Sequence, residues 1–273
     1  MTPSLVIGAA LLALFLGAGL LSLVWTPYDP GEIDVANRLA PMGSSGHLLG
    51  TDGLGRDVLS MIMAGARNSL VVAGIATVAA IVPGTVFGLL IAGSHRTLRS
   101  LFSRITDIGI ALPGLLLALV LATAIGPGNT TSIVAIITWF VPVATRVTIG
   151  PARQVLALDF VEAALAYGRS KHFVLFRHVL PNIGPLVLAQ TSVMFASAVL
   201  LEAALSYLGV GAQPPAVSWG RMLNEAQSFL GVSESLIILP GVAIATAVLG
   251  FNFLSDGLRS LLDPHVQTKA VTA

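Results

Sequence analysis

Five stretches of the chain lack Asp, Glu, Lys and Arg and are long enough to matter: Met1 to Tyr28, Asn68 to His95, Ile108 to Thr145, His178 to Leu201 and Ser235 to Ser255. A bilayer's hydrocarbon core is about 30 Å thick and takes about 20 apolar residues to cross as a helix. Lipid offers no partner to an open backbone amide, so each stretch predicts at least one helix. The third is too long for one span and is interrupted by Gly126-Pro127-Gly128-Asn129, a turn signal strong enough to reverse the chain. Six helices result, near residues 5–25, 70–93, 108–125, 131–150, 184–207 and 235–256. The expected class is an all-α, polytopic membrane protein.

Six crossings put both termini on one face, and the basic residues decide which face that is. Arg96, Arg99, Arg104, Arg146, Arg153, Arg169, Lys171, Arg177, Arg259 and Lys269 fall with the 94–107 and 150–182 loops. Arg38, Arg56, Arg67 and Arg221 fall opposite, together with Asp29, Glu32, Asp34, Asp52, Asp57, Glu225 and Glu234. Ten basic residues against four make the first face, and both termini, cytoplasmic. Met1 to Ser4 lacks a basic flank, so later loops must hold this orientation. The first helix is read as a retained span because its apolar run exceeds the roughly 7–15 residues of a signal peptide and no basic n-region precedes it.

Composition agrees: 55% of residues are apolar and 10% charged, against roughly 25% charged in a soluble domain. The net charge of +1, with only Lys171 and Lys269 as lysines, sets nucleic-acid binding aside. The absence of cysteine excludes disulfides and thiolate chemistry. His47, His95, His172, His178 and His265 sit in loops or at span ends without metal-ligand spacing, which counts against an intramembrane enzyme. A secondary transporter would call for ionisable residues near the midplane, and few exist. Glu202 is the one acid well inside a predicted span, a functional candidate by default. The competing reading is structural, with water or an outer-loop partner solvating it near the outer helix end. No G-x-x-x-x-G-K-[ST] occurs, so any nucleotide energy must come from a partner.

The longest polar stretch on the basic face, Pro151 to Pro181, reads as two short helices with a hinge. Asp159 is placed to cap the first, with Glu162 three residues on, and Gly168 to end it in a left-handed conformation. Ser170 is placed to cap the second, which is expected to stop at Pro181. Within this loop, Glu162-Ala163-Ala164, Gly168 and Leu180-Pro181 resemble the EAA loop of ABC importer permeases. That resemblance implies a coupling helix seated in a groove of a cytoplasmic ATPase; read from the residues alone, Arg169, Lys171 and Arg177 offer rim charges to a partner. The alternative is an ordinary connector whose basic residues only hold topology. Glu202-Ala203-Ala204-Leu205 repeats the tetrapeptide of Glu162 but lacks the glycine spacing and the basic surroundings.

Two segments on the other face carry a narrower resemblance, to the C-type permeases of dipeptide, oligopeptide and nickel importers. One is Gly50-Thr51-Asp52-Gly53-Leu54-Gly55-Arg56-Asp57, followed by Gly65 to Leu70. The other runs from Ser206 through Gln213-Pro214-Pro215 to Ser218-Trp219-Gly220. Read from the residues, the first is a tight turn whose Asp52 and Asp57 cap amides or pair with Arg56. The second suggests a rigid re-entry with Trp219 at the membrane interface. The usual basic cytoplasmic tail of the family is missing at the start.

The resemblance implies a type I ABC importer permease fold, with residues 1–66 as first helix and extracytoplasmic segment, 67–262 as permease domain and 263–273 as cytoplasmic tail. It implies a heterodimer with a second permease, two ATP-binding cassette ATPase domains that hold ATP and magnesium, and an extracytoplasmic peptide-binding protein. This chain itself would bind no cofactor and catalyse nothing. Peptide is the expected cargo in a plasma (inner) membrane complex, with nickel the alternative.

Overall fold

The computed structural model describes residues 3–44 and 46–262. Ten α-helices follow in chain order: α1 (Pro3–Leu21), α2 (Val58–Ala92), α3 (Arg96–Ala111), α4 (Gly114–Ile125), α5 (Asn129–Leu156), α6 (Asp159–Ala166), α7 (Lys171–Val174), α8 (Leu180–Tyr207), α9 (Trp219–Ala226) and α10 (Ser235–Leu262). Among the described residues no strand forms, and only two isolated bridges, at Ser44–His47 and Thr51–Asp57, pin the outer segment.

Five helices are individually long and apolar enough to cross a membrane, and α3 and α4, a pair bent by 80°, make a sixth span when taken together as one. The expected single helix at 108–125 is thus corrected. Leu112 adopts an extended conformation before Pro113 (φ −73°, ψ 124°), as a residue preceding proline prefers, and the helix restarts at Gly114. The second span begins at Val58, well before residue 70. Arg67 bounds the uncharged run yet remains helical, exposed and with its Nη1 donating to the Ser22 carbonyl at 3.4 Å. The 66/67 boundary therefore falls inside a continuous helix, and residues 263–273, with Lys269 and His265, lie outside the described residues.

Close packing uses small residues, as membrane helices do where backbones approach. A side chain at Gly84 would sit 2.5 Å from the Ala144 Cβ, and one at Gly88 2.5 Å from the Thr148 Cβ, so α2 and α5 touch along two turns. Gly8 and Gly257 bring α1 against α10 in the same way. Val72, Ala73, Ala76 and Ala80 of α2 are buried in the main core with Ile136, Phe140 and Ala144 of α5. The opposite face of α2 exposes Val71, Ile75, Val78 and Val82, spaced as one helical stripe toward lipid or a partner.

Candidate docking loop and outer platform

The 151–181 loop has an anchored inner side and an open outer side. Val161 of α6, Val174 of α7 and Leu175, Val179 and Ile183 beyond it form a cluster with Leu89 and Ala92 of α2 and Ala152 of α5. The loop is thus wedged onto the ends of two spans, so a push on it is felt by both.

The capping differs in part from the sequence expectation. The residue before α6 is Leu158, with no side-chain cap, so Asp159 is the first helical residue and not its cap. Asp159 and Glu162 are both exposed acids of the first turn, where they complement the helix dipole. Gly168 has φ +81°. Its amide donates to the Leu165 carbonyl at 2.9 Å while the Arg169 amide donates to the Ala164 carbonyl at 3.2 Å, the two bonds of a Schellman stop. Ser170 accepts from the Phe173 amide at 3.2 Å and starts α7.

The second short helix does not stop at Pro181. Leu175–Val179 forms a π-type turn that leads into α8, and Pro181 lies in that helix's first turn. A proline there lacks only an amide that the wider turn does not require. Asn182 Nδ2 covers the His178 carbonyl at 2.7 Å.

Ala163, Gly168, Arg169 and Lys171 are exposed, Ala164 and Leu180 half-buried. Beside them stand residues that the motif does not mark: Phe160, Tyr167, Phe173 and Phe176 all present large apolar surface, Tyr167 at 89% exposure. Phe160 and Phe173 both pack edge-on to His178, and the Arg169 guanidinium lies 5.1 Å above the Phe173 ring. Aromatic rings interleaved with charge on a polar loop are the sequence signal that could have found them, since such rings dominate protein interfaces.

At the other end, the two outer motifs meet. Asp52 accepts from the Leu54 and Arg56 amides at 2.9 and 2.8 Å and from Arg56 Nε at 2.7 Å. Arg56 Nη2 also reaches Glu225 Oε2 at 2.5 Å, and Arg221 Nε donates to Glu225 Oε1 at 2.7 Å. Burial opposes the Arg56 charge, but the contacts with Asp52 and Glu225 outweigh it and lift the guanidinium pKa above its ordinary value. Asp57 does not pair with Arg56. It caps α2 through the Ser60 amide at 2.8 Å and contacts His47 Nδ1 at 3.0 Å. Asp34 caps a short turn, and hydrogen bonds from the Asn37 side chain and the Ala36 amide hold its carboxyl below the ordinary value. Thr51 is buried, its hydroxyl joined to the Asn37 carbonyl and accepting from the Ala40 amide at 2.9 Å.

Gly55 and Gly220 are required by close approach. A side chain at either would strike a backbone carbonyl, Asp34 at 1.8 Å and Ala203 at 1.9 Å. Gly50 has φ +77°. Gln213 Nε2 donates to the Gly209 and Gly211 carbonyls at 2.9 and 3.0 Å and so closes the turn before Pro214. Trp219 is not interfacial: it is 2% exposed, donates to the Ile62 carbonyl at 2.9 Å and packs 5.6 Å from Phe15. The space over Gly65 admits the ring, which makes it a core wedge. A cavity of about 350 Å³ opens between the motifs, lined in part by Asp52, Arg56, Met222 and Glu225.

Glu202 is fully buried. Asn68 Nδ2, Ser69 Oγ and Ser206 Oγ donate to it at 3.1, 3.0 and 2.8 Å, and Ser218 of the outer segment also interacts with it. Asn129 Nδ2 donates in turn to Asn68 Oδ1 at 2.6 Å, and Ser206 accepts from the Ala212 amide at 3.0 Å. The network ties α2, α5, α8 and the outer segment together.

Residues 84–268 match the family described as binding-protein-dependent transport system inner membrane component. The chain is 34% identical over 263 residues to the dipeptide transport system permease protein DppC of Alkalihalophilus pseudofirmus, covering 96% of this chain and 86% of that protein. It is 38% identical over 249 residues to the di/tripeptide transport system permease protein DppC of Pseudomonas aeruginosa, covering 89% and 82%. With the glutathione transport system permease protein GsiD of Pectobacterium atrosepticum it shares 36% identity over 242 residues, covering 89% and 80%. Its fold is similar to a chain of the inward-facing MetNI methionine ABC transporter, with a TM-score of 0.63 at 16% identity, over 74% of this chain and 96% of that one.

Proposed function

The chain belongs to the family of binding-protein-dependent transport system inner membrane components, and from that premise we propose that it is a permease subunit of an ATP-driven importer of dipeptides or oligopeptides. Relatives named for dipeptide and di/tripeptide transport support the cargo class. In this reading the subunit catalyses nothing. It pairs with a second permease, receives peptide from an extracytoplasmic binding protein, and is driven by two ATPase domains that carry the nucleotide and magnesium.

The observation that carries the reading is the construction of the 159–181 loop. Exposed Phe160, Tyr167 and Phe173 with Arg169 and Lys171 form the outward side, and the buried Val161–Val174–Val179 cluster grips the ends of α2 and α5. A partner that shifts this loop must shift both spans. Closure of the ATPases on ATP would draw the loops of the two permeases together and open the pathway outward, and hydrolysis would reset it, a two-state equilibrium biased by nucleotide. At the far end, the Asp52–Arg56–Glu225 platform is the surface offered to the binding protein.

The test is Gly168→Leu. At φ +81° a side chain meets no atom within 4 Å but must adopt a left-handed backbone, at a cost of roughly 1–2 kcal/mol. Insertion and pairing with the second permease should persist, while ATPase retention on purification and peptide uptake into proteoliposomes fall together. Normal retention and uptake would reduce the loop to a connector and remove the main support for the reading.

A further inference from the structure

The α3 helix is the one long helix of the bundle in which charge and apolar surface are sharply divided. Leu98, Leu101, Ile105 and Ile108 are exposed along one side, and the apolar surface continues past the bend into Leu115, Leu116 and Leu119 of α4. Arg96, Arg99 and Arg104 sit on the same helix. Among the described residues no ion pair engages any of the three; the acid on this helix, Asp107, faces Arg146 at 3.6 Å.

Beside this helix runs an apolar trough of about 500 Å³ between α2, α3 and α5, lined by Phe87, Leu90, Leu98, Phe102, Ile105 and Val141. Ser94 also lines it, and Arg99 Nη1 donates to the Ser94 carbonyl at 3.5 Å. The trough itself is apolar, and its mouth at Ser94 adjoins a separate polar cavity that Arg96 and Arg99 line together with Arg146 and Arg153. In the topology proposed above, that mouth lies at the cytoplasmic edge of the membrane.

We propose that this trough holds an anionic phospholipid of the cytoplasmic leaflet, one acyl chain along the groove and the phosphate between Arg96 and Arg99. A basic helix with an exposed apolar side fits the boundary between headgroups and acyl chains. A basic pocket between spans on the cytoplasmic side suits an anionic headgroup in particular. Zwitterionic lipid would gain the apolar contact but not the charge. The trough is bounded by α2 and α5, the pair whose inner ends grip the 159–181 loop, so an occupant would bear on the coupling region.

The experiment uses the full complex, purified in detergent after reconstitution in phosphatidylcholine vesicles with added phosphatidylglycerol, and counts each retained lipid by native mass spectrometry. Retention in detergent does not depend on leaflet, so a wrong topology would leave the result standing. Phosphatidylglycerol should be retained over phosphatidylcholine, and weakened about fivefold by Arg96→Gln and about fivefold again by Arg99→Gln. Arg96→Lys with Arg99→Lys should restore it. Ile105→Trp, which fills the trough and keeps both arginines, should expel the lipid. If the arginine variants fail to assemble, the salt dependence of wild-type retention decides: a fall with rising salt supports the site, a flat response overturns it. Equal retention of both lipids would also overturn it. So would displacement by inorganic phosphate alone, or efficient cross-linking of Ile105→Cys to the second permease, which would make the trough a protein contact.

Discussion

Glu202 shows how one side chain acquires its role from its neighbours. A buried carboxylate is tolerated where donors surround it, and here Asn68, Ser69 and Ser206 supply them from two helices. Glu202→Leu would remove the shared acceptor and strand those donors, at a cost of about 1–3 kcal/mol for each group left unsatisfied. Glu202→Gln keeps an oxygen and should cost less. Thermal unfolding of the purified complex should rank wild type above Gln and Gln above Leu, with ATPase retention equal in all three because the network lies at the end away from the 159–181 loop. Loss of ATPase docking in the folded Glu202→Gln protein would contradict the assignment of the first Glu-Ala-Ala copy as the docking one. The acid itself was legible as a lone charge in an apolar run. Its partners were not, since serine and asparagine do not stand out in a membrane helix, and Arg56 with Glu225 could not be paired across such a sequence separation.

At the scale of elements, the proposed docking role of the loop makes helix packing the limit on what it can transmit. Gly88 faces Thr148 where α2 and α5 cross just above the coupling cluster. Gly88→Val would force the helices apart at an overpacking cost of about 1–3 kcal/mol. The expected outcome is a complex that still retains its ATPase but couples poorly, with hydrolysis less dependent on peptide-loaded binding protein; unchanged coupling would show that this crossing is not part of the lever. The helices themselves could be read from uncharged runs because a bilayer demands length and apolarity together. Their ends could not: Val58 starts α2 ahead of Arg67 because an exposed arginine at a helix edge is cheap, and the π-type turn at Leu175–Val179 carries the chain past Pro181. The break at Leu112-Pro113 carries its own sequence signal, a proline inside an apolar run, which length alone hides.

For the whole molecule, the described residues separate into two ends. The outer one gathers the Asp52–Arg56–Glu225 platform, the Glu202 network and the bond from the Gly128 amide to the Val210 carbonyl at 2.9 Å. The other gathers the 159–181 loop with the ends of α2 and α5. Which end faces the cytoplasm rests on the basic excess, a statistical preference that labelling can decide. The chain has no cysteine, so single replacements report cleanly, and the structure selects the sites. Tyr167 is 89% exposed, whereas Ser170 caps α7 and would disturb it if replaced. On the opposite end Met42 is 53% exposed, while the Ser44 hydroxyl is buried. A membrane-impermeant maleimide added to intact cells should label Met42→Cys and spare Tyr167→Cys until the membrane is opened. The reverse pattern would invert every sidedness argument made from the loops, moving the aromatic docking surface away from any cytoplasmic ATPase.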